Sequence, residues 1–288
     1  MKEYLNEPMS RHTTFRIGGP AARYLVPETA QEVRDAVRSC REQGVPYFIL
    51  GNGSNLLVSD AGYDGCVIEI GRAIGTIKAE GNRIFADAGA ALSAVSLAAR
   101  DEGLTGLEWA CGIPGNIGGA VVMNAGAYGG EIRNCLESVL VMDPAGSMFR
   151  QTPEELELDY RYSNIPAREL IVLSAVFRLE PGDRELISAR IAELNAGRAE
   201  KQPLNYPSAG SAFKRPQGGF AAKLIQDAGL KGFRIGGAQV SEKHSGFIVN
   251  TGGATAADVT ALLQYVSDKV WEMSGIRLEP EIRILGEI

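Results

Sequence analysis

The sequence has few of the residues that hold metals or form disulfide frameworks. Only four cysteines and two histidines occur in 288 residues. No two cysteines have the Cys-x-x-Cys spacing, so we expect reduced thiols and neither a zinc site nor a disulfide framework. No group of histidines, cysteines and carboxylates has metal-ligand spacing either, and we expect no metal. The cysteines are Cys40, Cys66, Cys111 and Cys135.

Basic runs and long apolar runs are also missing. Lysine and arginine together number 29, against 35 aspartates and glutamates, which gives a formal net charge of −6. An acidic chain without a basic stretch is a poor candidate for binding nucleic acid or an anionic membrane. The N-terminal segment 1–8 is polar and ends in proline, unlike a secretory signal, and no segment is apolar enough to span a bilayer. We expect a cytoplasmic protein with small-molecule ligands.

Glycine, in contrast, is abundant, with 35 residues, and it clusters in two runs. Run 1 is Gly51–Asn55 and run 2 is Gly112–Gly119. Run 1 has Leu56 where a Rossmann fingerprint needs its third glycine, and it lacks the Lys-Ser/Thr pair of a Walker loop. Neither segment 42–71 nor segment 101–132 contains lysine or arginine, so a phosphate held there needs backbone amides and hydroxyls. Each run alone fits a tight turn equally well, but two runs favour a bound dinucleotide diphosphate.

The predicted elements mix helices and strands. Thr29 and Glu32 form a predicted capping box at the start of a helix through Cys40. The predicted strand 47–50 leads directly into run 1, and α/β proteins place ligands at such strand ends. Segment 201–210 has two prolines and no periodicity, which predicts a domain boundary. The other predicted elements are strands 66–70, 139–142, 171–179, 246–250 and 281–285, a hairpin of 74–79 with 83–88, helices 90–100, 220–228 and 256–273, and a helix capped by Asp183.

Seven motifs together resemble one family along nearly the whole chain. They resemble, in this order, the bacterial UDP-N-acetylenolpyruvoylglucosamine reductases. The motifs are His12-Thr13-Thr14-Phe15-Arg16-Ile17-Gly18-Gly19, Gly51-Asn52-Gly53-Ser54-Asn55-Leu56-Leu57, Gly112-Ile113-Pro114-Gly115, Met123-Asn124-Ala125-Gly126-Ala127-Tyr128-Gly129, Tyr160-Arg161-Tyr162-Ser163, Gly210-Ser211-Ala212-Phe213-Lys214 and Leu278-Glu279-Pro280-Glu281.

The resemblance implies an α+β protein. Its expected parts are the FAD-binding fold of the p-cresol methylhydroxylase and vanillyl-alcohol oxidase type and a C-terminal α+β substrate domain. We place the first FAD subdomain at 1–72, the second at 73–200 and the substrate domain at 201–288, whose last strand is a candidate to return to the FAD unit. The implied reaction uses noncovalent FAD and NADPH to reduce UDP-N-acetylglucosamine enolpyruvate to UDP-N-acetylmuramate for peptidoglycan synthesis. We expect a monomer.

The resemblance also implies the site residues. That reaction needs a clamp for the substrate carboxylate, a proton donor and a group that stabilises an enolate-like species. The family positions assign these roles to Arg161, Ser211 and Glu281, with Glu281 predicted to act as a hydrogen-bond donor or through a shared proton. Taken singly, these residues also fit a surface ion pair, a loop serine and a strand edge. The implied cofactor-binding residues are Gly51, Asn52, Gly53, Ser54, Asn55, Leu56, Ile113, Pro114, Gly115, Gly118, Gly119, Asn124 and Gly126, and the implied substrate-binding residues are Lys201, Lys214, Arg215 and His244.

The sequence departs from part of the family in one respect. Some members carry an inserted tyrosine loop that covers the substrate, and the short distance from Tyr160 to Ser211 leaves no room for it. The chain therefore resembles the short type, in which the covering residue is unknown. Two other functions stay open at this level: a different flavin oxidoreductase of the same fold, and a nucleotide-binding module without catalysis.

Overall fold

A computed structural model describes residues 1–287 of the chain. The chain forms two compact units, each assembled from separated segments. Unit 1 consists of Met1–Tyr4, Arg23–Asn52 and Gly65–Arg198, and unit 2 consists of Leu5–Ala22, Gly53–Asp64 and the chain from Ala199 onward.

The strands are mostly short. In chain order they are β1 Lys2–Pro8, β2 Pro20–Val26, β3 Tyr47–Leu50, β4 Leu56–Val58, β5 Tyr63–Glu69, β6 Ile77–Glu80, β7 Arg83–Asp87, β8 Leu104–Thr105, β9 Gly126–Ala127, β10 Gly130–Glu131, β11 Leu136–Met142, β12 Met148–Gln151, β13 Ile171–Arg178, β14 Glu180–Pro181, β15 Ser208–Ser211, β16 Arg234–Ile235, β17 Ala238–Val240, β18 Phe247–Asn250 and β19 Arg283–Leu285. The helices are α1 Ala30–Glu42, α2 Leu92–Asp101, α3 Ile117–Val122, α4 Arg184–Lys201, α5 Ala221–Asp227 and α6 Ala256–Ser274. The mixture of elements confirms the α+β class.

Unit 1 is built around an antiparallel sheet with the strand order β12-β11-β13-β7-β6. Strand β13 is apolar and buried along almost its whole length, as expected for a central strand. A second sheet has the order β1-β2-β5-β3, in which β3 and β5 run parallel. Helix α1 presents Val33, Ala36, Val37 and Cys40 to the same apolar core. This arrangement fixes the end of β3, where run 1 begins.

Unit 2 has its own core and its own four-stranded sheet. The sheet order is β15-β18-β17-β16, and α6 packs its apolar stripe into this core. Thr255 and Asp258 cap α6 reciprocally, and the Asp60 carboxylate also accepts hydrogen bonds from the first amides of the helix. Strand β19 pairs in parallel with β4, which directly follows run 1. The C-terminal strand thus joins the segment that carries the end of the glycine run.

Most element predictions are confirmed, with the bounds shifted by a few residues. Thr29 caps α1 and accepts a hydrogen bond from the Glu32 amide, but the Glu32 carboxylate bonds the Glu28 amide and not that of Thr29. The predicted capping box is therefore wrong in one of its two bonds, because Glu32 does not accept from the Thr29 amide. The helix after Asp183 is confirmed as α4, since the Asp183 carboxylate accepts from the amides of Glu185 and Leu186.

Other features were missed. The second half of run 2 folds into α3 because tertiary packing overrides the low helix propensity of its two glycines. Segment 201–210, predicted as an aperiodic boundary, contains most of β15, and β1, β2 and β12 were not predicted. Segments 5–22 and 53–64 cluster with the C-terminal part of the chain. The three-part division at residues 72 and 200 stays a prediction.

Candidate active site

Run 1 leaves four amides for a ligand. Within residues 1–287, the N–H groups of Asn52, Gly53, Ser54 and Asn55 have no hydrogen-bond acceptor. Gly53 has a φ of +60°, and a Cβ there would overlap the His12 carbonyl, so glycine is required at this position. Consecutive donors without acceptors are the property expected of a phosphate-binding loop.

In unit 1 the start of run 1 meets run 2. The side-chain amide of Asn52 donates to the Pro114 carbonyl at 2.9 Å. Gly51 faces Asn116, whose Cβ would lie 3.7 Å from a Cβ added at the glycine. Two segments that are about 60 residues apart in sequence therefore lie side by side, which isolated turns would not require.

Run 2 has fewer available amides than its glycine content indicates. The amides of Ile113, Gly115, Ile117 and Gly118 donate to carbonyls of the chain itself. Those of Gly112, Asn116 and Gly119 lack an acceptor in the described part of the chain. Run 1 therefore offers the longer uninterrupted set of available amides. The cofactor contacts of Ile113, Gly115 and Gly118 stay predictions.

Arg198 was missed by sequence reasoning, although it touches run 2. This α4 arginine is 7% exposed and donates through Nη1 to the Gly112 carbonyl. A Cβ at Gly112 would lie 2.9 Å from its Nε, so the glycine makes room for the guanidinium. Its signal was present in the sequence, because Ile187, Ile191, Leu194 and Arg198 occupy one helical stripe. In this helix the stripe brings Arg198 to the buried face.

Arg161 lies in unit 1 on a tight turn between Asp159 and Tyr162, which form an isolated antiparallel bridge. Its φ is +54°, an unusual value for a residue other than glycine and one often found at functional sites. Its Nη2 donates to the Gly126 carbonyl at 3.1 Å, and its guanidinium lies 5.1 Å from the centre of the Tyr160 ring. The turn and the β9 hairpin thus fix the guanidinium from two sides.

Asn124 supports this turn. Its side chain is fully buried, and its Nδ2 donates to Glu131 and to the Asp159 carbonyl, while its Oδ1 accepts from the Arg133 amide. The side chain therefore has little capacity left for the cofactor contact predicted for it. Its contacts position the turn that carries Arg161. Gly126 has no room for a side chain, since a Cβ there would lie 2.7 Å from the Gly130 carbonyl.

Unit 2 brings together two of the residues predicted to be catalytic. Ser211 ends β15, opposite Phe247 of β18. The amide of Glu281 donates to the carbonyl of Ala212, the residue next to Ser211, at 2.9 Å. The hydroxyl of Ser211 has no hydrogen-bond partner within residues 1–287, and the residue is half-buried. Ser211 and Glu281 therefore lie on adjoining extended segments although they are far apart in sequence.

The end of run 1 reaches the same place. The side-chain amide of Asn55 donates to the Glu281 carbonyl at 3.1 Å, and the Asn55 carbonyl accepts from the amide of Arg283 at 3.1 Å. Run 1 and Glu281 are thus fixed to each other within unit 2. This contact follows from the pairing of β4 with β19.

The predicted substrate-binding cations have different surroundings. Lys214 forms an ion pair with Glu279 and is one third exposed. The Arg215 guanidinium lies 3.9 Å from the centre of the Phe220 ring. Lys201 ends α4 and is exposed. All three belong to unit 2, and their contacts with substrate stay predictions.

His244 is half-buried in a turn. Its Nδ1 accepts from the Gly246 amide at 3.2 Å, and its ring packs edge-on against Phe247 at 5.0 Å. Burial lowers the pKa of the imidazole, and the charge of Lys231 contributes in the same direction. The ring is therefore neutral at pH 7, and with Nδ1 as acceptor its proton is on Nε2. That N–H is a suitable donor to a substrate oxygen.

This pKa shift predicts a pH-dependent stability. Above the unfolded value of about 6.5, His244 is neutral in both states. As the pH falls below it, the unfolded chain takes up a proton and the folded chain resists, so the free energy of unfolding decreases. Urea titrations at pH 7.5 and 5.5 test this prediction. Between these two pH values the free energy of unfolding is expected to decrease less for His244→Gln than for the unchanged protein. An equal loss in both proteins would contradict the shift, since the other histidine, His12, is common to both.

Comparison with known proteins places this site in a family. Residues 21–152 match the FAD binding domain family, and residues 202–285 match the C-terminal domain of UDP-N-acetylenolpyruvoylglucosamine reductase. A Clostridium botulinum protein of that name is 53% identical over 283 residues, covering 98% of this chain and 92% of the relative. The chain belongs to the UDP-N-acetylenolpyruvoylglucosamine reductase family. A relative of the same name from Caldanaerobacter subterraneus is 51% identical over 286 residues, covering 99% of this chain and 94% of the relative.

The family is also represented by a crystal structure. The UDP-N-acetylenolpyruvylglucosamine reductase of Thermus caldophilus matches with a TM-score of 0.84 and 38% identity, covering 99% of this chain and 98% of that one. The fold class and the family resemblance stated from sequence are therefore confirmed. Among residues 1–287, no helix could cross a membrane and no group of three or more His, Cys, Asp or Glu side chains could hold a metal ion.

The described residues fit FAD. Besides the four amides of run 1, the Arg198 Nε is buried without a hydrogen-bond partner. Gly119 provides a further indication, because it lies inside α3 and a Cβ there would meet no atom of the chain within 4 Å. Alanine is preferred over glycine at such a helical position. The missing side chain leaves room for close approach of a ligand.

Gly119→Ala is therefore expected to have opposite effects on folding and on cofactor binding. Alanine should stabilise the FAD-free protein by about 0.5–1 kcal/mol, since it lowers the conformational entropy of the unfolded chain. The added methyl group should weaken FAD binding. Gly197→Ala is the matched control, because a Cβ added to this α4 glycine would also meet no atom of the chain within 4 Å. Equal FAD affinity in both variants, measured by flavin fluorescence, would remove Gly119 from the cofactor site.

Proposed function

We propose that Arg161, Ser211 and Glu281 carry out the chemistry of an FAD- and NADPH-dependent UDP-N-acetylenolpyruvoylglucosamine reductase in this chain. The reaction reduces UDP-N-acetylglucosamine enolpyruvate to UDP-N-acetylmuramate, a peptidoglycan precursor. Bound FAD supplies hydride transfer from NADPH to one carbon of the substrate alkene. The protein supplies a proton to the other alkene carbon, next to the carboxylate, and stabilises the charge that develops between the two steps.

The observation that carries this proposal is the juxtaposition of Ser211, Glu281 and the end of run 1 in unit 2. The Ser211 hydroxyl has no hydrogen-bond partner in the described chain, so its Oγ–H is available to a substrate carbon. A serine hydroxyl is a weak acid, but the carbanion next to a carboxylate is a strong base. Transfer of the Oγ proton to that carbon completes addition of one hydride and one proton across the double bond.

Glu281 is suited to stabilise the developing charge only as a donor. An ionised carboxylate next to an enolate would repel it, whereas a protonated carboxyl group donates a hydrogen bond to it. The half-buried position of Glu281 and the bond from its amide to Ala212 hold this residue beside the serine segment. We assign Glu281 the hydrogen-bond donor role.

We assign Arg161 the role of binding the substrate carboxylate. Its planar guanidinium can bind both carboxylate oxygens. The attraction between its positive charge and the substrate increases as the negatively charged enolate forms. The strained turn and the bond to the Gly126 carbonyl pre-orient the group. Pre-orientation matters because a donor that is already in place needs no reorganisation during the reaction.

We extend the proposal to the surroundings of the reaction. Residues 202–285 contain the assigned substrate contacts of Lys214, Arg215 and His244, and Lys201 lies directly before this range. The protein is assigned to the cytoplasm, where NADPH and nucleotide sugars are available, and to a monomeric state. Cell fractionation and light scattering test these two assignments.

The experiment for the function is a substrate-dependence assay. Purified holoenzyme is mixed with NADPH in the presence and absence of UDP-N-acetylglucosamine enolpyruvate, without oxygen. Stoichiometric NADPH oxidation only with the sugar nucleotide, together with UDP-N-acetylmuramate in the product mixture, is the expected result. NADPH oxidation that needs oxygen and ignores the sugar nucleotide would indicate a different flavin oxidoreductase.

A further inference from the structure

The β9–β10 hairpin contacts the Arg161 turn, which comprises residues 159–162 of the same unit. Strand β9 supplies the Gly126 carbonyl, and the Arg161 Nη2 donates to it at 3.1 Å. Glu131 of β10 pairs with Gly126 across the hairpin. The carbonyl that orients the guanidinium therefore lies opposite a residue with a carboxylate side chain.

The Glu131 carboxylate binds two donors. Its Oε2 accepts from the Asn124 Nδ2 at 3.0 Å, and its Oε1 accepts from the Arg133 Nε. Only 20% of the Glu131 side chain is exposed, and the Asn124 side chain is fully buried. A carboxylate that uses both oxygens in this way, largely out of water, holds its two partners in one geometry.

Both donors also bind the chain that leads into the turn. The Arg133 Nη1 donates to the Leu158 carbonyl at 3.3 Å, and the Asn124 Nδ2 donates to the Asp159 carbonyl at 3.0 Å. Arg133 reaches the Asp159 carboxylate as well, at 3.3 Å, but that side chain is 74% exposed and such a surface pair contributes little. The backbone carbonyls therefore make the main connection between Glu131 and the turn.

The backbone of the turn needs this support. Arg161 has a φ of +54° and Asn124 a φ of +40°. A residue other than glycine keeps such a conformation only where its surroundings determine it. The amides of Asp159 and Tyr162 each donate to the carbonyl of the other, at 3.1 and 3.0 Å, which closes the turn but does not fix its direction relative to the hairpin. The contacts that meet at Glu131 fix that direction.

We propose that Glu131 is a positioning residue for the reductase reaction and acts through Arg161. Its carboxylate fixes Asn124 and Arg133, these fix the turn, and the Arg161 guanidinium is thereby held in one orientation for the substrate carboxylate. Glu131 contacts neither substrate nor cofactor in this role. The inference rests on the proposed function of Arg161, whereas the dependence of the turn on Glu131 does not.

The test compares Glu131→Gln in two backgrounds of the holoenzyme. Glutamine keeps the length of the side chain and one oxygen to cap the helical turn 132–134, but it replaces the other accepting oxygen with an NH₂ group. In the otherwise unchanged enzyme, kcat/KM for the enolpyruvyl sugar nucleotide should fall by about ten-fold or more, with kcat lowered as well. In the Arg161→Lys background the same substitution should change kcat/KM by less than about two-fold, because its effect requires the guanidinium.

Glu137→Gln is the matched control. Glu137 is also a unit 1 carboxylate that accepts from two donors, the guanidinium groups of Arg83 and Arg178. Within residues 1–287 this carboxylate bonds neither the hairpin nor the Arg161 turn, so kcat/KM should stay within about two-fold of the original. Should Glu131→Gln fail to fold, Arg133→Met replaces it in both backgrounds.

Hydrogen exchange tests the turn without turnover. In substrate-free holoenzyme, the amides of Asp159 and Tyr162 should exchange about ten-fold faster or more in Glu131→Gln, and at the original rate in Glu137→Gln. This measurement does not depend on which substrate the enzyme reduces. A failure of the reductase function would be detected with the unchanged enzyme in the substrate-dependence assay, so the two failures are distinguishable.

Three results would overturn the proposal. Unchanged exchange at both amides in Glu131→Gln would mean that the turn does not depend on the carboxylate. An equal loss of kcat/KM in both backgrounds would mean that Glu131 acts independently of Arg161. A loss of FAD affinity as large as the loss of kcat/KM, measured by flavin release on dilution, would place Glu131 in the cofactor site.

Discussion

Ser211→Ala is expected to lower the turnover number by about 10²–10⁴-fold while NADPH still bleaches the flavin. A positioned proton donor contributes this much to a rate, and alanine removes the only group that we assign to protonation. Hydride transfer from NADPH does not involve the serine, so this half-reaction should proceed at nearly its normal rate. Stopped-flow absorbance at the flavin band separates the two half-reactions.

Ser208→Ala is the control for this substitution. Ser208 begins the same strand, β15, and its carbonyl accepts from the Thr14 hydroxyl, a contact that alanine preserves. Turnover in Ser208→Ala should stay near the original value. Normal turnover in Ser211→Ala would remove Ser211 from the mechanism, and loss of FAD from that variant would indicate a structural role.

Arg161→Lys is expected to lower kcat/KM for the sugar nucleotide by about 10²–10³-fold with FAD retained. The substitution keeps one positive charge but replaces a planar, two-pronged donor with a single ammonium group. Removing one pre-oriented donor from a developing oxyanion has an effect of this size. Because lysine, like arginine, has a Cβ, the strain at φ +54° is unchanged and the fold should be retained.

The separate changes in kcat and in KM of Arg161→Lys show what Arg161 does. A group that strengthens its contact as the enolate forms should affect kcat as well as KM. Arg168→Lys is the control, since Arg168 lies at the unit 1 surface and donates to Gln151. A rise in KM alone for Arg161→Lys would mean that the arginine binds substrate without favouring the transition state.

Sequence predicted the helices and strands that have strong periodicity and clear caps. Helix α6 is an example, since its apolar residues recur with a clear helical period. Helix α3 was missed because its two glycines have low helix propensity, and packing determines its conformation. Strand β15 was missed because its four residues, Ser-Ala-Gly-Ser, carry no alternating apolar pattern.

The site could be predicted only in part for the same reason. The motifs identified Ser211 and Glu281, but their adjacency depends on long-range pairing of Glu281 with Ala212 and of β19 with β4. No local pattern contains such pairing. Arg198 is a further example, because it lies 86 residues from Gly112 in sequence and belongs to none of the seven motifs. Only the fold shows that run 2 has a cation next to it.

The most direct test of the proposed chemistry is the absorption spectrum of the holoenzyme during ordered additions without oxygen. Addition of NADPH should bleach the flavin band, and addition of UDP-N-acetylglucosamine enolpyruvate should restore it, with one equivalent of UDP-N-acetylmuramate formed for each flavin reoxidised. A flavin that stays bleached after the sugar nucleotide is added, and recovers only when oxygen is admitted, would contradict the proposed function.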